Sequence, residues 1–130
     1  MMKKLFYLLF LLVTFAACQN PKSTAFDKAF VHSVYIWLEN PDNQQDRMAF
    51  EESLNKFLSD TKYAKTKYVG TPPPATRDIV DDSFTYNLVV TFSSDEDQAA
   101  YQDEPAHKLF IKESSHLWKK VLVYDSKEIR

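Results

Sequence analysis

The clearest pattern of apolar and polar positions begins at Phe30, where the chain reads FVHSVYIWL up to Leu38. Its β-branched and aromatic residues predict a β-strand. The two faces of that strand would carry His32, Val34, Ile36 and Leu38 on one side and Val31, Ser33, Tyr35 and Trp37 on the other. Both faces are largely apolar, whereas a strand with one side in water alternates between apolar and polar residues. We therefore expect this strand to be covered on both sides.

The next segment, from about Asn43 to Ser59, has the periodicity of a helix. Its apolar residues recur at spacings of four, three and one, and they are Phe50, Leu54, Phe57 and Leu58. This spacing predicts a single apolar stripe that faces a core. A polar turn precedes the helix, and Asp42 or a neighbouring residue is expected to cap its N-terminus.

Two further strands are predicted around a proline-rich connection. The first lies within TKYAKTKYVG and ends at Gly70, and the prolines at positions 72–74 cannot continue a sheet ladder. The second, SFTYNLVVTF, alternates well. Its two faces would carry Phe84, Tyr86, Leu88, Val90 and Phe92 on one side and Thr85, Asn87, Val89 and Thr91 on the other.

The last third of the chain predicts a broken helix and a final strand. Ser94 and Asp97 have the spacing of a capping box, which predicts a helix from Asp95 to Tyr101. Pro105 interrupts the pattern before a second helical stretch, Ala106 to Trp118, and the short apolar strand KVLVYDS follows. The order β-α-β-β-α-β indicates an α+β, ferredoxin-like protomer, in which helices lie on one face of a four-stranded antiparallel sheet.

The face of this sheet that the helices leave open would carry Tyr35, Trp37 and Val89. An apolar patch of that size is unusual on a monomer exposed to water. A second copy of the same sheet would cover it and close the two open faces into a barrel. We therefore expect a symmetric homodimer.

The N-terminal residues 1–17 have the pattern of an export signal. Lys3 and Lys4 precede an apolar run, Leu5 to Ala17, whose thirteen residues would span only about 20 Å as a helix, too short for a bilayer. The run ends in FAAC, which resembles a bacterial lipobox with Cys18 as the lipidated residue. The alternative is a chance cysteine beside an ordinary signal-peptidase site. The predicted organisation is a signal peptide over residues 1–17, a tether over 18–29 and one domain over 30–130.

Composition restricts the partners and the location. The 130 residues contain 16 basic and 18 acidic side chains and lack a long basic run, which argues against nucleic-acid binding. Without Lys3 and Lys4, 14 basic and 18 acidic side chains remain, a formal charge of −4, so a lipid and not charge would have to hold the domain on a membrane. We expect a lipoprotein of the bacterial cell envelope, on the periplasmic side. The single cysteine excludes a disulfide within the chain.

Four segments resemble the stress-responsive A/B barrel domain family, whose members are dimeric α/β barrels with a ferredoxin-like protomer. They are VHSVYIWL, YVGTPPPATRD, YNLVVTFSSDEDQAAYQDEPAHKLF and VLVYD, and together they extend over roughly Phe30 to Asp125. The most specific of them is the unit Tyr-x-x-x-Pro-Ala-His, present here as Tyr101, Pro105, Ala106 and His107.

The resemblance also implies candidate site residues. A plant polyketide cyclase of the family closes its substrate with a tyrosine and a histidine beside an apolar tunnel, and these positions match Tyr101 and His107. The first-strand histidine of the family matches His32. Two other polar positions of that cyclase differ here, where Tyr86 and Glu104 replace histidines. Together with Trp37, His32 and Tyr86 are the candidate ligand-binding residues, and His107 and Tyr101 are the candidate catalytic pair.

The residues themselves leave several interpretations open. The unperturbed pKa of a histidine suits proton abstraction beside a carbonyl, yet His107, just after Pro105, could equally orient the helix. The three histidines lack metal-ligand spacing, so neither a metal nor another cofactor is expected. Three functions therefore stay possible: a dimeric envelope protein that binds a small apolar or aromatic ligand, a cofactor-free enzyme that uses His107 and Tyr101 on a carbonyl compound, or a non-catalytic interaction module.

Overall fold

A computed structural model describes residues 25–129 and contains four strands, three α-helices and one short 3₁₀ turn. In chain order they are β1 (Phe30–Leu38), α1 (Gln44–Asp60), β2 (Lys67–Gly70), β3 (Tyr86–Phe92), α2 (Asp95–Asp103), α3 (Pro105–Ser114), the 3₁₀ turn (Ser115–Leu117) and β4 (Trp118–Ser126). The predicted signal peptide, Cys18 and most of the predicted tether lie outside the described residues. Within residues 25–129, no helix combines the length and the apolar character needed to cross a bilayer.

The four strands form one antiparallel sheet in the order β2-β3-β1-β4, so β1 is central and β2 and β4 are the edges. The predicted ferredoxin-like α+β fold is confirmed. The two faces predicted for β1 are also confirmed, because His32, Val34, Ile36 and Leu38 are buried while the alternate residues are half-buried. This burial pattern defines a helix-covered face and an open face of the sheet.

Helix α1 begins at Gln44, because the side chain of Asn43 accepts hydrogen bonds from the backbone N–H groups of Gln45 and Asp46. Of the predicted stripe, Phe50, Leu54 and Phe57 are buried against the sheet, and Leu58 packs at its edge. Helix α2 begins as predicted, with the hydroxyl of Ser94 accepting a hydrogen bond from the N–H of Asp97.

Three predictions of element boundaries or faces were wrong. Strand β2 covers only Lys67–Gly70 of the predicted segment. The second helical stretch ends before Trp118, which instead begins β4, a longer strand than predicted. Phe84 lies on the open face against Tyr35, with ring centroids 5.0 Å apart, and not beside Tyr86.

The displacement of Phe84 has a local cause at Thr85. The N–H of Thr85 donates to the carbonyl of Ile36, and its hydroxyl accepts a hydrogen bond from the N–H of Leu38. Thr85 and Tyr86 are therefore both buried, although they are consecutive, and the regular alternation of β3 begins only at Tyr86. The residue before Thr85 then falls on the opposite face.

Candidate ligand cavity

A cavity of about 190 Å³, partly open to the surface, lies between the helix-covered face of the sheet and helices α2 and α3. Most of its wall is apolar, and the lining side chains that carry polar groups are His32, Tyr101, Gln102, His107 and Trp118. The wall consists of His32, Val34, Ile36, Phe57, Leu88, Tyr101, Gln102, His107, Phe110, Ile111, Trp118, Val121 and Val123. A small, mostly apolar space with a few polar side chains is the usual form of a ligand site.

His32 is held by a carboxylate on the neighbouring strand. The register of β1 against β4 pairs His32 with Asp125, and the distance from the histidine Nδ1 to the Asp125 Oδ1 is 2.6 Å. Because an ionised carboxylate can only accept, Nδ1 of His32 carries the proton and donates it. In the neutral ring, Nε2 then keeps the lone pair. His32 is 5% exposed, so this bond fixes the orientation of an almost fully buried imidazole.

Tyr101 lies at the centre of an aromatic cluster and is 1% exposed. Its ring centroid lies 4.8 Å from that of Phe92 and 5.5 Å from that of Phe57. Burial, and to a lesser extent the nearby carboxylate of Glu104, raises the pKa of the Tyr101 phenol. The phenol is therefore protonated at neutral pH and can act as a hydrogen-bond donor.

His107 lies in the first turn of α3, half-buried, and its Nδ1 is 3.2 Å from the backbone carbonyl oxygen of Gln102. A carbonyl oxygen only accepts, so Nδ1 donates, and Nε2 is the basic nitrogen. Burial lowers the pKa of His107. The ring is therefore mainly neutral at pH 7, with its lone pair available to take a proton.

The structure brings together three of the five predicted site residues. The ring centroids of Tyr101 and His107 are 5.0 Å apart, and those of His32 and Tyr101 are 5.9 Å apart. All three side chains line the same cavity. One protonated phenol and two oriented imidazoles in a mostly apolar space can bind a carbonyl oxygen and move a proton beside it.

The other two predicted residues do not line this cavity. Tyr86 stacks on Phe50, with ring centroids 4.9 Å apart, and its hydroxyl donates a hydrogen bond to Glu51. Trp37 lies on the open face of the sheet, where its indole N–H donates to the hydroxyl of Ser83 at 3.1 Å. The positions of Tyr86 and Trp37 in the sequence showed that they are aromatic and on strands, but not which space they border.

Glu104 is buried at the junction of α2 and α3, where its carboxylate makes hydrogen bonds that hold the fold. Its carboxylate accepts hydrogen bonds from the Thr61 hydroxyl and, at 3.1 Å, from the backbone N–H of Lys62. These bonds connect the break between the two helices to the end of α1. Glu104 does not line the cavity, but its negative charge favours the protonated forms of both Tyr101 and His107.

Two residues of the site were missed at the sequence level. Asp125 orients His32, and Phe57 packs against both Tyr101 and His107, with 5.5 Å between ring centroids in each pair. The signal for Asp125 was the antiparallel pairing of the first and last strands, which a register prediction could have used. Among residues 25–129, no three His, Cys, Asp or Glu side chains are grouped so that they could hold a metal ion.

Comparison with known proteins gave no match among curated proteins. Among solved structures, a Dabb family protein with a ferredoxin-like fold from Mesorhizobium loti is 17% identical, covers 78% of this chain and 97% of its own, and has a TM-score of 0.66. A dimeric ferredoxin-like protein of unknown function from Thermobifida fusca is 11% identical, covers 80% and 96%, and has a TM-score of 0.64.

A hydroxynitrile lyase from Passiflora edulis is 23% identical, covers 76% of this chain and 93% of its own, and has a TM-score of 0.64. At such identities the similarity to these structures concerns the fold. The family is identified by the sequence itself, because the profile of the stress responsive A/B barrel domain (Dabb) matches residues 30–128. The chain therefore belongs to the stress-responsive A/B barrel domain family.

Proposed function

We propose that this protein is a lipid-anchored homodimer of the bacterial cell envelope that binds a small apolar or aromatic molecule in the cavity between its sheet and α2–α3. The observation that carries this proposal is the convergence of His32, Tyr101 and His107 on one mostly apolar cavity. An interaction module with a filled interior is less consistent with a space of this size.

The size of the cavity restricts the ligand. An apolar protein cavity of about 150 Å³ holds one benzene molecule. By proportion, the 190 Å³ here suits about eight non-hydrogen atoms. The ligand, or the part of it inside the protein, is therefore a single substituted ring or a short chain with one or two polar atoms.

The homodimer is proposed from the open face of the sheet. This face carries Tyr35, Trp37, Phe84, Leu122 and Tyr124 around a shallow concavity, and Tyr124 is 59% exposed. A patch of this composition is typical of an interface. A related fold from Thermobifida fusca is described as dimeric, which supports the same arrangement here.

The lipid anchor is proposed from residues that precede the described domain. Cys18 follows an apolar run of export-signal length, and about ten residues separate it from β1. Periplasmic location and attachment through a lipid on Cys18 follow from that pattern alone.

Native mass spectrometry of the protein released from bacterial membranes tests the anchor and the assembly together. We expect a dimer in which each chain begins at Cys18 and carries the mass of a lipid, and in which a Cys18→Ala variant lacks that mass. Unmodified monomers that begin at Met1 or at another residue would contradict both parts of the proposal.

A second candidate function is supported by the protonation states in the cavity. His107 is neutral with its Nδ1–H already bound to Gln102, and Tyr101 is protonated. His107 could therefore take a proton from the carbon beside a carbonyl group while Tyr101 donates a hydrogen bond to the carbonyl oxygen. This arrangement corresponds to a cofactor-free enzyme that acts on a carbonyl compound.

If the protein is such an enzyme, His107→Ala should reduce the turnover of a β-dicarbonyl substrate by about 10²-fold or more, because general-base catalysis contributes that much. Since the base is the neutral ring and its pKa is lowered, the wild-type rate should persist below the pH at which an ordinary histidine becomes protonated. His116→Ala is the matched control and should keep the wild-type rate, because His116 is exposed in the 3₁₀ turn and does not line the cavity. Equal rates in wild type and His107→Ala would exclude this mechanism.

A further inference from the structure

The cavity has polar side chains at its buried end and aliphatic side chains at its mouth. The side chains at its blind end include two polar groups, Tyr101 and His32, which are 1% and 5% exposed. At its mouth, Ile111, Val121 and Val123 are 40%, 39% and 43% exposed. We call these three residues the apolar rim. The three most exposed side chains of the wall are therefore aliphatic, and its polar side chains are buried or half-buried.

The sheet explains why the rim is exposed. Val121 and Val123 pair across the β1–β4 ladder with Ile36 and Val34, which are 2% and 8% exposed. The apolar side chains on this face are therefore buried on β1 and exposed on the neighbouring strand β4. Strand β4 is the edge of the sheet, and its apolar residues on the helix side are exposed where those of β1 are buried. The apolar wall of the cavity thus continues onto the surface.

We propose that the ligand is a single-chain amphiphile that enters head first, with its polar group at Tyr101, His32 and His107 and its alkyl chain leaving the cavity over the apolar rim. This inference rests on the ligand-binding function proposed above and adds the class and the orientation of the ligand. The continuity between the buried wall and the rim carries it, because an alkyl chain can follow that surface without crossing a polar boundary.

The charges near the blind end indicate that the head group is uncharged. The Asp125 carboxylate is bonded to His32, and the Glu104 carboxylate is near enough to Tyr101 and His107 to act on the pKa of both, so an anionic head would meet two carboxylates close to its partners. A cationic head would lack a carboxylate inside the cavity wall itself. A carbonyl or hydroxyl oxygen can accept from the Tyr101 phenol, so a ketone, an aldehyde or an alcohol fits best.

The proposed orientation of the ligand can be tested by varying the length of its alkyl chain. Because about eight non-hydrogen atoms fill the cavity, a longer chain must lie on the rim. A fully buried CH₂ group strengthens binding about fourfold, and one that is half-buried on the rim about twofold. We would measure the binding of 2-hexanone, 2-octanone, 2-decanone and 2-dodecanone to the full chain in lipid nanodiscs by calorimetry. Empty nanodiscs give the blank for partition into lipid.

We expect affinity to keep rising, by about twofold per CH₂ group, from 2-octanone to 2-dodecanone. The variant Ile111→Ser should lower the affinity for 2-dodecanone about fivefold and leave that for 2-hexanone nearly unchanged. Leu109→Ser is the matched control, since Leu109 lies on the same helix at 38% exposure but does not line this cavity. Val123→Thr, which keeps the shape of the side chain, is a second rim variant should Ile111→Ser fold poorly.

The outcomes separate the two proposals. Affinity that stops rising at 2-octanone, or a loss with Ile111→Ser that is the same for every chain length, would overturn the head-first amphiphile and leave the binding of small ligands intact. If 2-hexanone and 2-octanone both fail to bind, the function proposed for the cavity fails as well.

Discussion

Replacing Tyr124 by glutamate should separate the proposed dimer into single protomers. Tyr124 lies on the open face of β4, opposite Ser33 and beside Tyr35, with 6.1 Å between the two tyrosine ring centroids. In a two-fold symmetric dimer each substitution occurs twice, so two desolvated charges would enter one interface. Truncation of a central aromatic residue alone commonly costs about 2 kcal/mol, and two such losses weaken association about 10³-fold.

Sedimentation velocity at several protein concentrations would measure this effect. Val123→Glu is the matched control, because Val123 precedes Tyr124 on the same edge strand and is also exposed, at 43%, but faces the helix side. It should leave the subunit count unchanged. A Tyr124→Glu protein that stays dimeric would show that the copies meet through another surface, and a wild-type protein that is monomeric at high concentration would leave the open face without its proposed cover.

The second large effect is expected for Phe57→Ala, which should destabilise the domain by about 3–5 kcal/mol. Phe57 is 2% exposed, stacks on Phe110 with ring centroids 5.1 Å apart, and forms part of the wall of the ligand cavity. Its removal takes away buried apolar surface and leaves a hole that the surrounding rings can fill only in part. Tyr101 and His107 would lose a neighbouring ring at the same time.

Denaturant unfolding followed by circular dichroism would give the change in the free energy of unfolding. Phe26→Ala is the control, since Phe26 is 52% exposed and its replacement should change stability by less than about 0.5 kcal/mol. A loss below about 1 kcal/mol for Phe57→Ala would mean that this ring contributes little to the core, and the described packing around the cavity would then be wrong.

The elements with strong local signals were predictable from the sequence. Strand β1 has the predicted bounds, because six of its nine residues are β-branched or aromatic and leave no competing helical pattern. The start of α2 follows from the hydroxyl of Ser94, which satisfies the N–H of Asp97 whatever the rest of the chain does. The fold class followed from the order of these elements.

The parts that were not predictable depend on contacts between distant residues. Phe84 changes face because Thr85 bonds to β1, about fifty residues earlier in the chain. Trp118 has no local signal that separates the end of a helix from the start of a strand, and pairing with Leu38 decides in favour of β4. Periodicity within one segment contains no information about either bond.

In the candidate site, too, some features could be predicted from the sequence and others depend on contacts between distant residues. The family resemblance indicated Tyr101, His107 and His32, and the structure places all three on one cavity. The bond from His32 to Asp125 depends on the register of β1 against β4, which the sequence pattern alone does not give. Trp37 could not be assigned to a cavity from its sequence position either, because both faces of β1 are apolar.

The proposed function requires that a small, mostly apolar molecule binds between His32, Tyr101 and His107, and 2-hexanone is a suitable probe. The chain has three histidines, of which His32 and His107 line this cavity and His116 is exposed in the 3₁₀ turn. The imidazole signals of His116 therefore serve as an internal control. In an NMR titration with 2-hexanone, the signals of His32 and His107 should shift together to saturation while that of His116 stays constant. Unchanged signals for His32 and His107, or equal shifts for all three histidines, would contradict the claim.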